Sequence, residues 1–240
     1  MPLPKISTPT YELELPSNGE TIKFRPFLVR EEKLLVLALE GEDTKEISNA
    51  IKTVIKNCII TKGIKVESLP TFDIEYLFLN IRGKSVGEKV DINIICPDDG
   101  ETTVPVSIDL DEIKVRKNEE HSNKIQLDES LMMEMKYPSL DQFIKNNFDF
   151  TGTSNTMDQS FDLIASCIDK IYNEDEIWTT SDVTKKELVE FLDQMNSSQF
   201  KQIEKFFDTM PKLSHEVKVK NPKTEVESTV VLEGLSSFFA

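Results

Sequence analysis

The chain is poor in the residues that carry most enzyme chemistry. Its 240 residues hold two histidines and three cysteines. Neither His121 nor His215 has a serine or cysteine partner in a recognisable catalytic motif, and there is no Gly-x-Gly-x-x-Gly, phosphate loop, His-Glu-x-x-His or nucleophile elbow. Catalysis therefore has little to stand on, and no cofactor is expected. Cys58, Cys96 and Cys167 are an odd number without paired spacing, which excludes a disulfide framework and suits a reducing compartment. Cys58 and Cys167 lie in helical patterns and read as core fillers. No apolar run approaches the ~18 residues of a membrane span, and Met1-Pro-Leu-Pro-Lys5 lacks the apolar stretch of a signal peptide. The chain is expected to stay in the cytoplasm, with no membrane partner. Positive charge is also short: 28 Lys and Arg face 43 Asp and Glu, a net charge of −15. With no cation surplus to release counterions from a phosphate backbone, nucleic acid is not an expected partner.

What is present suffices for a core. At 38% hydrophobic residues the chain can form one large or two ordinary domains. Its most informative feature is a unit that occurs twice. Val90-Asp-Ile-Asn-Ile-Ile-Cys-Pro-Asp-Asp-Gly100 is followed by Val104-Pro-Val-Ser-Ile-Asp-Leu110. His215-Glu-Val-Lys-Val-Lys-Asn-Pro-Lys-Thr-Glu225 is followed by Thr229-Val-Val-Leu-Glu-Gly-Leu235. Apolar residues alternate before each turn (Ile92, Ile94; Val217, Val219) and after it (Val104, Val106, Ile108; Val230, Leu232), the period-two signal of a half-buried hairpin. Cys96-Pro97 falls where Asn221-Pro222 falls. Cys-Pro-x-x-Gly is the outline of a zinc knuckle that has lost its second thiol, and the two turns together supply one thiol where a structural zinc needs four ligands. No metal site is expected, so packing must hold these hairpins. Asp98 and Asp99 read as turn formers.

Around these hairpins the pattern is mixed. Pro2, Pro4 and Pro9 make the first nine residues an extended arm. Residues 11–15 and 21–27 flank Ser17-Asn-Gly-Glu20, a hairpin turn. Residues 29–40 read as a helix stopped at Gly41, and Asp43 with Glu46 as a capping box for the next. Ile47, Ala50, Ile51, Val54, Ile55, Cys58 and Ile59 form one helical stripe expected to end at Gly63. In residues 72–81 apolar side chains point all round a helix, which predicts either a central core helix or a subunit interface. A charged connection with a solvated His121 follows, and then a strand near residues 131–137. Ser139 with Gln142 reads as another capping box. Phe161, Ile164, Ala165, Ile168 and Ile171 read as a helical stripe, Thr184 with Glu187 as a capped helix, and residues 196–210 as a helix stopped by Pro211. Asn173-Glu-Asp-Glu176 lacks the alternation and glycine of a calcium loop and reads as a solvated turn.

The expected fold class is α+β: a helical body with an N-terminal β-hairpin and two related, degenerate zinc-ribbon-like β-hairpins. The expected division is an arm (1–9), an N-terminal α+β domain (10–117) with the first repeated hairpin (86–110), a connection (118–130), and a mainly helical C-terminal domain (131–240) ending in the second (214–235). Candidate partner-binding residues are Pro2 and Pro4 in the arm and Leu235, Phe238 and Phe239 in the tail. For that tail two readings stand: folding back on the second hairpin, or docking aromatic anchors into a partner groove.

Phe72-Asp-Ile-Glu-Tyr-Leu-Phe-Leu-Asn-Ile-Arg-Gly-Lys-Ser-Val-Gly-Glu88, Phe24-Arg-Pro-Phe-Leu-Val-Arg-Glu-Glu-Lys33, Lys136-Tyr-Pro-Ser-Leu140, Phe206-Phe-Asp-Thr-Met-Pro-Lys-Leu213 and Leu232-Glu-Gly-Leu-Ser-Ser-Phe-Phe239 resemble the baseplate hub subunit and hub assembly protein family of T-even-type contractile-tailed bacteriophages. The resemblance spans almost the whole chain, and residues 72–88 are its most specific block. It implies a non-enzymatic role in building the tail hub, as a permanent subunit or a transient assembly chaperone. The implied partners are other baseplate hub or tape-measure proteins, and self-association stays open. The implied location is the host cytoplasm during assembly and, for a subunit, the virion tail. An alternative of another class is a metal-binding ribbon regulator using Cys96 and His215. A hydrolase, the weakest reading, would need a pocket of convergent polar groups that the sequence does not locate.

Overall fold

The computed structural model describes residues 6–41, 43–139 and 156–238. It is an α+β chain that divides into two compact units. Residues 1–66, 72–116 and 212–240 form the first, and 67–71 with 117–211 form the second. The last hairpin thus belongs with the first unit, which corrects the expected C-terminal domain 131–240. The reason is a pairing between residues far apart in sequence: Leu213 lies opposite Val115, and Ser214 opposite Lys114, in an antiparallel ladder.

In the first unit, β1 (Tyr11–Glu14) and β2 (Thr21–Phe24) form the N-terminal hairpin. Gly19 takes the positive φ (74°) that its turn requires. Helix α1 (Val29–Glu40) is followed by α2 (Thr44–Cys58). Ala50, Val54, Ile55 and Cys58 of the α2 stripe are buried. The helix ends before Gly63 because the chain pairs with β2 instead. Phe24 bridges Ile59, and Ile60 N–H donates to the Lys23 carbonyl at 2.8 Å. Of the two readings of 72–81, core burial holds within this unit: α3 (Thr71–Val86) buries Phe72, Ile74, Leu77, Phe78, Leu79 and Ile81.

Both repeated hairpins exist. Strand β3 (Lys89–Ile95) pairs with β4 (Thr103–Asp109), and β10 (Lys212–Lys220) pairs with β11 (Glu227–Glu233), with β5 (Lys114–Arg116) on the other side of β10. The alternation expected from sequence points both hairpins at one core. Ile92, Ile94 and Ile108 from the first, Val217 and Val219 from the second, and Leu79 from α3 lie in one buried cluster. Each such side chain, fully buried, contributes roughly 1.5–3 kcal/mol. This shared core packs the two hairpins together.

The second unit is a four-stranded antiparallel sheet in the order β6 (Lys124–Gln126), β7 (Met132–Met135), β8 (Ile168–Tyr172), β9 (Ile177–Thr179), together with helices α4 (Thr156–Cys167), α5 (Lys185–Leu192) and α6 (Ser197–Thr209). Met133, Ile164, Ala165, Ile171, Leu188, Ile203 and Phe206 share its core. The helical stripe expected to run from Phe161 through Ile171 breaks at Cys167. Ile168 and Ile171 are strand residues opposite Met135 and Met133, since a buried i, i+3 spacing fits a bulged strand as well as a helix. Capping boxes start α5 (Thr184 with Glu187) and α6 (Asn196 with Gln199). Gln142 of the expected Ser139/Gln142 box lies outside the described residues.

Candidate functional site

The two repeated hairpins end in turns that start alike and close one residue apart, at the sixth residue on in the first and the fifth in the second. In the first, Cys96 N–H donates to the Thr102 carbonyl (2.7 Å), and the Cys96 carbonyl accepts from Gly100 N–H (2.9 Å). In the second, Asn221 N–H donates to the Val226 carbonyl (2.9 Å), and the Asn221 carbonyl accepts from Glu225 N–H (2.9 Å). The residue after each leading position is proline, and the fourth residue on is left-handed in both: Gly100 at φ 68° and Glu225 at φ 62°. Among the described residues Glu225 is the single non-glycine with positive φ. The repeat seen in sequence is therefore a repeat of conformation, kept even where its glycine is not.

The tips of the two turns meet in a polar cluster centred on Asn221, which is 1% exposed. Its Oδ1 accepts from the N–H of Lys223 (2.8 Å) in its own turn. Its Nδ2 reaches the other turn, donating to Asp98 Oδ1 (3.1 Å), Asp98 Oδ2 (3.0 Å) and Asp99 Oδ2 (3.0 Å). Thr224 Oγ1 also donates to Asp98 Oδ2. Asp99 accepts from Glu101 N–H (3.0 Å), Thr102 N–H (2.9 Å) and Thr102 Oγ1 (2.6 Å). Bonds to the charged form favour it, so Thr224 and Asn221 hold the Asp98 carboxyl below the usual range. Thr102, Asn221 and Glu101 do the same for Asp99. Cys96 is fully buried, and burial together with the carboxylates of Asp98 and Asp99 pushes its thiol up.

Reading Asp98 and Asp99 as turn formers is right for Asp99 and incomplete for both, because each also bonds across to the second turn. The signal that could have found this was the register of the repeat, which sets Cys96 against Asn221 and Asp99 against Thr224.

The tail residues are placed as follows. After β11, Gly234 N–H donates to the Leu213 carbonyl (2.9 Å), and residues Leu235–Phe238 form a short 3-10 turn. Phe238 is fully buried in the cluster that joins the two hairpins. It is a core residue in this structure and not an exposed anchor, so for Phe238 the fold-back reading applies. Pro2, Pro4 and Phe239 lie outside the described residues, as does the Leu235 side chain.

His121, expected to be solvated, is half-buried in the second unit. Its Nδ1 lies 2.9 Å from Thr209 Oγ1 and its Nε2 lies 3.0 Å from Tyr137 Oη, with the ring against Tyr137 and Phe206. These faces come from distant parts of the chain, which is why a local reading misses them. All three cysteines are buried and unpaired, with the Cys58 thiol pushed to about 11 and the Cys167 thiol to about 12 by burial. Among the described residues no group of three or more His, Cys, Asp or Glu could hold a metal ion, and no helix is long and apolar enough to cross a membrane.

The surface offers apolar material for contacts. On α1, Val29 (66% exposed), Val36 (48%) and Leu37 (66%) share one outer face by their i, i+7, i+8 spacing, opposite the buried Glu31 and Ala38. Glu31 is held by Arg30 Nε (2.7 Å), Leu28 N–H (2.8 Å) and an Arg25 nitrogen (3.1 Å). Burial raises the Glu31 pKa, but these bonds outweigh it and leave the carboxyl below its usual value. That ionic anchor fixes the start of α1 and so the direction of its outer face.

Comparison with known proteins returns one family. No curated protein and no solved structure matches the chain. Residues 8–240 match the family model described as T4 bacteriophage base plate protein, and the chain belongs to that family.

Proposed function

We propose that this chain is a non-enzymatic protein of the baseplate hub, acting through protein–protein contacts. The observation that carries the proposal is the family match across residues 8–240, which covers both compact units. The exposed face of α1 and the open edge of β11, with Val231 half exposed, are suited to such contacts, by helix packing and by strand addition. The partners are other hub proteins or the tape-measure protein, met in the host cytoplasm during assembly.

Two versions of this role are distinguished by where the chain ends up. A hub subunit stays in the particle, whereas a transient chaperone holds an aggregation-prone partner and leaves. The deciding experiment is quantitative mass spectrometry of purified particles beside infected-cell lysate, together with a deletion. A fixed low copy number per tail identifies a subunit. Abundance in lysate only, with baseplates failing in the deletion, identifies an assembly factor. Normal baseplates in the deletion would remove the hub reading altogether. The metal-binding alternative is less well supported: among the described residues no group of three or more His, Cys, Asp or Glu could hold a metal ion, and His215 is six residues before Asn221, ~20 Å of extended chain.

A further inference from the structure

The polar cluster at the hairpin tips has the layout of a pair of metal knuckles. Each turn offers its side chains at positions i and i+3, namely Cys96 and Asp99 in one, Asn221 and Thr224 in the other. A paired-knuckle zinc site draws its four ligands from such positions. Here they are one thiol, a carboxylate already saturated by four donors, a carboxamide and a hydroxyl, a set that does not fit zinc.

We propose that the Asn221 carboxamide replaces the metal. Its oxygen accepts a turn amide, as a knuckle thiolate does, and its NH2 group spans the gap to Asp98 and Asp99 that an ion would otherwise bridge. Thr224 adds a second strut onto Asp98. Three features of the structure support this independently of the cysteine: the turn amide closed onto the fourth residue in both hairpins, the left-handed fourth residue retained at Glu225, and the burial of Thr102 and Asn221 at the point where the turns meet. The consequence is a hairpin pair whose tips stay locked whatever the supply of zinc or the thiol redox state of the surroundings. The lock is a hydrogen-bonded one, and it acts between turns more than 120 residues apart in sequence.

Two measurements on the full chain test it. The triple variant Asp99→Cys, Asn221→Cys, Thr224→Cys returns four thiols to the ligand positions. It should bind one zinc per chain and, with cobalt(II), give the intense visible bands of a tetrahedral thiolate site. Wild-type protein should bind neither, and its melting temperature should be indifferent to chelator and to added zinc. A folded triple variant without a tetrahedral cobalt spectrum would overturn the assignment of the four positions, as would zinc retained by the wild type. If the triple variant does not fold, hydrogen exchange on Asn221→Ala decides. Loss of the keystone should speed exchange by about tenfold or more at Thr102 and Cys96 in the opposite turn as well as at residues 221–226. Faster exchange confined to 221–226 would show that Asn221 serves its own turn alone and would end the proposal.

Discussion

Ser17, at the turn between β1 and β2, is bonded twice to Asp73 in the first turn of α3: its N–H donates to Oδ1 at 3.0 Å and its hydroxyl donates to Oδ2. Asp73 is completely buried, and these two bonds replace part of the hydration its carboxyl group gives up. The link fixes the N-terminal hairpin to the helix at the centre of the first unit.

Ser17→Ala removes the hydroxyl and leaves the backbone bond. A hydrogen bond contributes roughly 0.5–1.5 kcal/mol net and a buried acceptor left short of a partner costs roughly 1–3 kcal/mol, so the variant should lose about 1–2 kcal/mol. The check is a urea titration in which the midpoint falls while the slope stays constant. A midpoint unchanged within error would show that water replaces the hydroxyl at no cost.

Glu225 stands where the first turn has Gly100, with a left-handed φ of 62°. That conformation costs a residue with a Cβ roughly 1–2 kcal/mol. Glycine removes the cost but adds unfolded-state entropy of roughly 0.4–1 kcal/mol. Glu225→Gly should therefore stabilise the protein by roughly 0.5–1 kcal/mol, read as a higher melting temperature. A destabilised variant would mean that the exposed glutamate makes a contact stronger than its strain.

How far the sequence went can be judged from where these residues lie. Gly19, Thr184 with Glu187, and Pro211 are local signals, and the elements they start or stop are found where they were expected. The buried face of each hairpin was legible too, because alternation in a strand fixes it, but that the two faces share one core was not. What failed was non-local. The end of α2 is set by β2, the strand character of Ile168 and Ile171 by β7, and the unit to which the last hairpin belongs by β5. The candidate site failed in the same way. Asn221 looks like an ordinary turn residue until Asp98 and Asp99 are brought against it by a core that two distant hairpins build together.

His121 gives the second unit a pH dependence of known sign. Thr209 Oγ1 donates its proton to the Lys205 carbonyl (2.6 Å), so it accepts from His121 Nδ1, and Nε2 accepts from Tyr137. Burial holds the imidazole below its usual value, favouring the neutral ring. The unfolded state then takes up a proton first as pH falls past about 6.5, and stability declines from there through the lower folded value. Melting curves between pH 8 and 5 should show a drop in wild type that is reduced in His121→Asn. Parallel curves would show that His121 is not the titrating group.

Asp98 and Asp99 act at lower pH. Both are held below the usual carboxylate range, Asp98 by Thr224 and Asn221, and Asp99 chiefly by Thr102. Their contribution is complete above the unfolded value of about 3.9 and is lost as pH falls through the folded values. Thr224→Val removes the leading bond to Asp98, so its stability should decline less steeply below about pH 4 than that of wild type, although it starts lower. Acid titration followed by hydrogen exchange at residues 96–102 reads this directly, and identical slopes would place the acid sensitivity elsewhere.

The functional proposal makes its own demand on α1. Val36 and Leu37 are 48% and 66% exposed, on the face away from Glu31 and Ala38. Lysine is a good helix former, so Val36→Lys with Leu37→Lys should change folding stability by no more than about 0.5 kcal/mol per site. If this face meets a hub partner, the same change puts two charges into an apolar contact. Truncating a central contact residue alone costs about 2 kcal/mol, roughly 30-fold in affinity. The expected result is a protein that unfolds like wild type but fails to complement a deletion of this gene in particle assembly. Full complementation by the folded double variant would take α1 out of the interface and leave the β11 edge as the surface to test, by substituting proline at Val231, where an edge strand tolerates it and an added strand does not.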